Sequence, residues 1–409
     1  MSDLIAAGAF IEVGHYQCSK YNQGAPGDTF LSRKNETDGR VITVLSDGLG
    51  SGIKAGVLST LTATMALKFI ASDIPIKRAA DIIMSTLPVC KERGISYATF
   101  TLVDIEPNSS VRIMEYDNPG YVLIRENTVV EPIKQCTPIE RKNKKTAPAK
   151  EATLYYSDYK ARPGDRLVFF SDGVTQSGMG SRAFPLGWGP CLVQDFILDN
   201  ISRNPSISAR DLARTVVTQA RQQDSFRAKD DITCGVIYFR NPRDLLIMTG
   251  PPVNQDRDSE MARLFSMFPG KKVLCGGTTA NILSRELGRK LKLDLKNIDP
   301  EIPPMSVMEG ADLVTEGIIT LGRVSEILER GARSGGSAGI EQEREHGARK
   351  LCELLLDSDR IQIVVGTKIN EAHQDPNMPV ELEIRRNVVK KIQKLLAEQY
   401  LKEVNISYL

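Results

Sequence analysis

The stretch VITVLSDGLGSGIKAGVLSTLTATMALKFIA (Val41 to Ala71) passes from a β-branched apolar run, through an Asp-Gly turn, into apolar residues at helical spacing without a proline. The alternation and β-branching of Val41 to Asp47 predict a strand, and the pattern from Ile53 onward predicts a helix. Asp-Gly between apolar runs is also a strong hairpin signal, but here a helix follows instead of a second strand. A dinucleotide-binding loop is the other rival. Gly48, Gly50 and Gly52 are spaced G-x-G-x-G and miss the third-glycine spacing that such a loop needs. What remains is an acid, Asp47, fixed at a strand end beside glycines.

Three further segments repeat that arrangement. Ser171-Asp172-Gly173 ends the apolar run RLVFF, Asp230-Asp231 stands directly before the strand-like TCGVIYF, and Gly27-Asp28-Thr29-Phe30 sets another acid beside a glycine. Each alone also reads as a simple turn. Taken together they suit a hard cation such as Mg2+ or Mn2+, which takes oxygen ligands, and carboxylates at strand ends are held rigidly enough to define a site. Without a cation, two carboxylates about 4 Å apart would repel by roughly 1 to 4 kcal/mol in a solvated setting. Two cations sharing one aspartate would acidify a bridging water and clamp a phosphoryl oxygen.

Around these acids, YATFTLVDI (Tyr97 to Ile105), VRIMEYD, YVLIREN, RLVFFSD and TCGVIYF read as strands. The short turns between Tyr97 and Val130 favour antiparallel neighbours. Two helix-like segments, from Ile53 and from Ile76, would cover a sheet face. The polar, basic stretch Thr137 to Ala152 has no interleaved aromatics and reads as a solvated loop, not a nucleic-acid patch. After Asn241 the grammar changes: LLIMTG, KKVLCGG, ADLVTEG and RIQIVVG are short apolar runs ending in Gly with helical stretches between most of them. This predicts an α/β domain with a parallel sheet, and a boundary at NPRD (Asn241 to Asp244), giving domains 1–240 and 241–409. The Gly-rich segment from Arg330 to Gly347 reads as a mobile loop, and the amphipathic tail from Val380 as a docked terminal helix.

GAPGDTF, SDGLGSGIKA, the meander containing YATFTLVDI and EYDNPGYVLI, then PGDRLVFFSDGVTQS and DDIT, in that order, resemble the protein phosphatase 2C superfamily in its bacterial SpoIIE-like branch, over about Val13 to Phe239. The resemblance implies an α-β-β-α sandwich of two antiparallel sheets and hydrolysis of phosphoserine or phosphothreonine on a protein, in bacterial signalling, with two Mn2+ or Mg2+ ions. Carried over by position, Asp47 would bridge both metals and Gly48 would offer its carbonyl. Asp172 and Asp230 would complete one site, with Asp231 an alternative in an ambiguous register, and Asp28 would serve the second metal. Leu49 stands where eukaryotic relatives often carry a His, so leaving-group protonation would fall to water or another group. No arginine is identifiable as a phosphate anchor. The helices after the first Asp-Gly are implied to act as a switch, although two ordinary core helices would give the same pattern.

The 409 residues carry 53 basic and 51 acidic side chains, a balance that gives no electrostatic reason to expect nucleic acid or an anionic membrane. Seven scattered cysteines without a CxxC pair suit a reducing compartment, and the start lacks a signal-like run. No later segment is expected to reach membrane-spanning length, and a cytoplasmic setting is expected. Three histidines leave little for a His-rich zinc site or a Ser-His-Asp triad. The sequence leaves oligomeric state open, a dimer included. Cys275 to Asn281, a strand end running into a helix, could hold an anion, with Thr315-Glu316-Gly317 at the same edge if the strands are parallel. Two other functions remain open: a silent metal-binding module with a ligand-binding C-terminal domain, and a small-molecule phosphoesterase.

Overall fold

The structure, a computed structural model, describes residues 9–35, 38–50, 52–86, 98–138, 153–293, 304–333, 346–367 and 379–409. Its contacts divide the chain into two compact units, Met1–Asn241 and Pro242–Leu409.

In the first unit the order is β1 (Phe10–Cys18), β2 (Asp28–Lys34), β3 (Val41–Gly48), α1 (Ile53–Ala71), α2 (Ile76–Thr86), β4 (Ala98–Ile105), β5 (Ser110–Tyr116), β6 (Val122–Arg125), β7 (Thr128–Val130) and β8 (Lys134–Pro138). It continues with β9 (Thr153–Lys160), β10 (Arg166–Phe170), α3 (Asp172–Thr175), α4 (Pro190–Arg203), α5 (Ala209–Gln223) and β11 (Ile232–Arg240). The strands form two antiparallel sheets, ordered β1-β11-β10-β6-β7 and β2-β3-β4-β5-β9-β8. Because successive strand residues face opposite sides, Leu167 and Phe169 of β10 join Val41 and Leu45 of β3 between the sheets. Val168 and Phe170 face outward under α4 and α5, while Ile42 and Val44 face outward under α1 and α2. This is the α-β-β-α sandwich, and both faces being covered explains why RLVFF is apolar without interruption.

The strands expected from the sequence are present, and so are α1 and α2. The expectation of two helices falls short, since α4 and α5 cover the other sheet. Their starts were legible: Pro190 opens α4, and the Ser208 hydroxyl caps α5 by accepting from the Asp211 N–H. The expectation that no segment reaches membrane-spanning length also fails, because α1, at 19 residues, is long and apolar enough by length and composition. It packs as a core helix instead, burying Ala55, Ser59, Thr62, Ala63, Ala66 and Ile70 over β2, β3 and β4.

The second unit runs β12 (Asp244–Thr249), α6 (Asp258–Met267), β13 (Lys271–Cys275), α7 (Gly277–Leu287), β14 (Leu291–Leu293), β15 (Ser306–Met308), β16 (Leu313–Thr315) and α8 (Ile318–Arg333). Then come α9 (Gly347–Asp357), β17 (Arg360–Val365), α10 (Pro379–Tyr400) and β18 (Glu403–Tyr408). The parallel strands lie in the order β16-β13-β12-β17-β18, with β15 and β14 added antiparallel at one edge. In chain order this is third, second, first, fourth, fifth, the doubly wound pattern. Leu321, Val324, Leu351, Ile392 and Leu396 of α8, α9 and α10 cover one face, and Met261, Phe265 and Leu283 of α6 and α7 the other. The tail helix is docked as expected, although a strand follows it. The loop expected over Arg330 to Gly347 is partly helix: Arg330 to Arg333 close α8 and Gly347 opens α9. Residues 334–345, like 139–152 of the expected basic loop, lie outside the described residues.

Candidate metal centre

Antiparallel pairing of β2 with β3 sets Asp28 opposite Asp47 at one end of its sheet. In the other sheet β10 pairs with β11, so Asp172, just after β10, comes beside Asp230 and Asp231, just before β11. The Ser171 N–H donates to the Thr233 carbonyl at 3.0 Å and locks that juxtaposition. Each sheet thus delivers two acidic segments to the same end of the sandwich. A buried hydrogen bond joins them: the Thr233 hydroxyl donates to Asp28 Oδ2 at 2.6 Å.

Both Asp-Gly pairs need glycine for the same reason. A Cβ on Gly48 would lie 2.1 Å from the Ala55 carbonyl oxygen, and one on Gly173 would lie 2.1 Å from that of Asp231. Gly48 lets the start of α1 close onto the end of β3, and Gly173 lets the Asp172 turn close onto the Asp230-Asp231 turn. The backbone at the acids is therefore fixed by contact as well as by pairing.

The side chains divide by what they do. Asp172 accepts from Gln176 Nε2 at 2.7 Å through Oδ2, while its Oδ1 is buried with no hydrogen-bond partner. Asp28 is 2% exposed, and its Oδ1 is likewise buried and without a partner. Asp231 Oδ1 accepts the Lys20 backbone N–H at 3.1 Å, and its Oδ2 lies 2.7 Å from where a Cβ on Gly27 would be. It pins the loop between β1 and β2. Asp230 accepts the Asp231 N–H at 3.0 Å, with Lys20 Nζ 4.0 Å away. Leu49 is half-buried beyond the end of β3. Sequence reasoning missed Lys20, Thr233 and Gln176. Lys20 carries no local signal, whereas a Gln four residues after Asp172 on a helical turn could have been noticed.

Burial first, then the charges of Asp28, Asp172 and Asp230, pushes the Asp47 carboxyl up to about 10. Burial likewise lifts Asp28 to about 7, against the Thr233 hydrogen bond, with the charges of Asp231 and Asp172 adding to the rise. Asp172 and Asp230 are also raised, again chiefly by burial. Among the described residues no three His, Cys, Asp or Glu side chains are already gathered as a ready-made cage. Asp47 and Asp172 come within hydrogen-bonding reach of each other, and the charges of Asp28 and Asp230 bear on Asp47. Two orphaned carboxylate oxygens among acids that resist ionisation fit a hard, oxygen-seeking cation.

An antiparallel double sheet covered on both faces by helices is the architecture of phosphatase 2C-like domains. Residues 37–240 match the family model SpoIIE, stage II sporulation protein E, and this part of the chain is a SpoIIE-family domain. Similar solved structures include the phosphatase domain with a regulatory fragment of SpoIIE from Bacillus subtilis, at 19% identity and TM-score 0.46, covering 57% of this chain and 64% of that one. A structure of RsbU and RsbW domains from Mycobacterium tuberculosis is 15% identical with TM-score 0.44, covering 63% and 68%. RsbX, solved with magnesium, is 16% identical with TM-score 0.39, covering 56% and 95%. No curated protein matches the chain.

Proposed function

We propose that the first unit hydrolyses phosphoserine or phosphothreonine on a protein substrate, in cytoplasmic bacterial signalling, with two divalent cations, Mn2+ or Mg2+. What supports this is the meeting of Asp28, Asp47, Asp172 and Asp230 at one sandwich end with two buried carboxylate oxygens left unpartnered. Asp47, whose neighbours are acids of both sheets, would hold the cations together with Asp172, Asp230, the Gly48 carbonyl and Asp28. Asp231, already committed to the Lys20 N–H, is assigned to holding the loop. The cations, when bound, would neutralise these acids, acidify a water and polarise the phosphoryl group.

The chain's own residues then have defined tasks. Gln176 and Thr233 orient Asp172 and Asp28 through one oxygen each, leaving the other free. Lys20, beside Asp230, brings a positive charge to a site without an assigned arginine and is placed to attract the substrate phosphate. Leu49 offers no proton, so the proton for the departing serine or threonine oxygen would come from water or another group. The cytoplasmic setting is supported by the free state of the cysteines among the described residues. The test is a Mn2+-dependent assay on a phosphopeptide and a generic phosphoester, wild type against Asp172→Asn. Activity on the phosphopeptide, lower by about 100-fold or more in the variant, is expected. Equal inactivity of both proteins would overturn catalysis, and turnover of the small ester alone would overturn the protein substrate.

A further inference from the structure

The carboxyl ends of the second unit's parallel strands carry polar groups that no packing role absorbs. In doubly wound sheets this edge is where ligands bind. Parallel pairing of β12, β13 and β16 brings Thr249, Cys275 and Thr315 level, so the loops that follow them are neighbours, with strands about 4.8 Å apart. The Gly276 N–H donates to the Thr315 carbonyl at 2.9 Å and holds two of these loops together.

The loop after β13 enters α7 through Gly276, whose φ of 127° suits glycine, and Gly277, beside which a Cβ would meet nothing within 4 Å. No side chain caps the helix. Its first N–H groups have no acceptor within the helix and carry the positive end of its dipole. The feature that turns a helix start into a site is Thr279. It is fully buried, its hydroxyl has no hydrogen-bond partner, and that oxygen lies 3.5 Å from where a Cβ on Gly276 would be. The hydroxyl therefore points at the glycine turn.

The neighbouring loops repeat this incompleteness. Thr320, in the first turn of α8, and Thr249, at the end of β12, are fully buried with partnerless hydroxyls. Glu316 has one carboxylate oxygen buried without a partner, and its charge reaches across to the Cys275 thiol at the end of β13. A cation is also at hand: Arg385 of α10 comes within 2.6 Å of the Cβ position on Gly250, the residue after Thr249. Buried polar groups are nearly always satisfied, so several orphans on one sheet edge point to a missing partner.

We propose that this edge binds a small phosphate ester with free hydroxyls, a nucleotide or a sugar phosphate. Its phosphate would take the α7 N–H groups and the Thr279 hydroxyl, with the Arg385 charge nearby, and its sugar hydroxyls would donate to Glu316. An acid beside the anion site excludes bare multivalent anions and selects ligands with a donor to offer it. This site is independent of the phosphatase reading.

The test is calorimetric titration of the full chain in chelator, with AMP, ribose 5-phosphate, inorganic phosphate and adenosine as probes. Saturable binding of AMP or ribose 5-phosphate is expected, tighter than inorganic phosphate; AMP alone assigns a nucleotide, and both assign the sugar phosphate as the recognised part. Thr279→Val should weaken it at least ten-fold without lowering the melting temperature, since the hydroxyl it removes has no partner. Glu316→Gln should weaken both esters but tighten inorganic phosphate, because it removes the charge that repels a bare anion. No saturable binding of either ester, binding unchanged in both variants, or a melting temperature that falls in Thr279→Val would overturn the proposal.

Discussion

The two units gather polar groups at sheet ends in opposite ways. In the first, antiparallel strands from two sheets bring carboxyl groups together, and what results is a set of buried acids that resist ionisation. In the second, parallel strands end at one edge, where the loops after β13 and β16 turn into helices, and the side-chain groups left unsatisfied there are mostly hydroxyls. The first arrangement asks for a cation and the second for an anion with donors. The difference lies in what surrounds the helix starts: in the second unit they stand beside hydroxyls, whereas in the first the starts of α1 and α3 are outnumbered by acids from both sheets.

The largest effect that could break this contrast is expected from Asp47→Asn. Phosphatase activity should fall by about 100-fold or more, because Asp47 is the acid within reach of Asp28, Asp172 and Asp230. Because the Asp47 carboxyl, raised to about 10, is protonated near pH 7, the same change should leave the melting temperature of the chelated protein close to that of wild type. An Asp47→Asn protein that melts lower in chelator than wild type would remove the electrostatic account of the first site.

Gly173→Ala comes next. A new Cβ would meet the Asp231 backbone oxygen at 2.1 Å, and neither partner is a flexible side-chain end. A loss of about 1 to 3 kcal/mol in denaturant unfolding is expected, together with weaker Mn2+ binding as the two acidic turns are forced apart. Unchanged stability would show that the turns are not in contact.

The third effect is a pH dependence. Asp28 and Asp47 have folded pKa values above their unfolded ones, so between about pH 4 and their raised values the folded state holds more protons than the unfolded. Their contribution in the metal-free protein is therefore most favourable at low pH and is lost as pH rises through the folded values. Thermal melts at pH 6 and pH 8 should show the gain from added Mn2+ growing with pH. A gain that is flat or shrinking would contradict ligation by these carboxylates.

Much of this was legible in the sequence, and unevenly so. Asp47 and Asp172 could be picked out because Asp-Gly followed a strand pattern and preceded something other than a strand, and both sit where that grammar put them. The parallel sheet of the second unit followed from short apolar runs ending in glycine. Strand β9 was missed because its burial is intermittent and its alternation weak, and β18 because an amphipathic helix precedes it directly. The division of labour between Asp230 and Asp231 was not legible: adjacent acids differ only in which one meets the Lys20 N–H, a contact 211 residues away in sequence. Likewise Thr249, Thr279 and Thr320 are ordinary residues until burial leaves their hydroxyls without partners.

The smallest expected effect is at Gly277, and it sharpens the contrast with Gly173 most directly. Both glycines follow a strand end and begin a helical turn, yet a Cβ at Gly277 meets open space where one at Gly173 meets backbone. Gly277→Ala should therefore be neutral or stabilising by about 0.4 to 1 kcal/mol, through lower entropy of the unfolded chain. The methyl group would stand beside the helix N–H groups, so the same variant should weaken ribose 5-phosphate binding while folding at least as well. A variant that instead loses stability would mean that the space beside Gly277 is filled by the protein itself, and the glycines of the two units would then serve the same purpose, close packing.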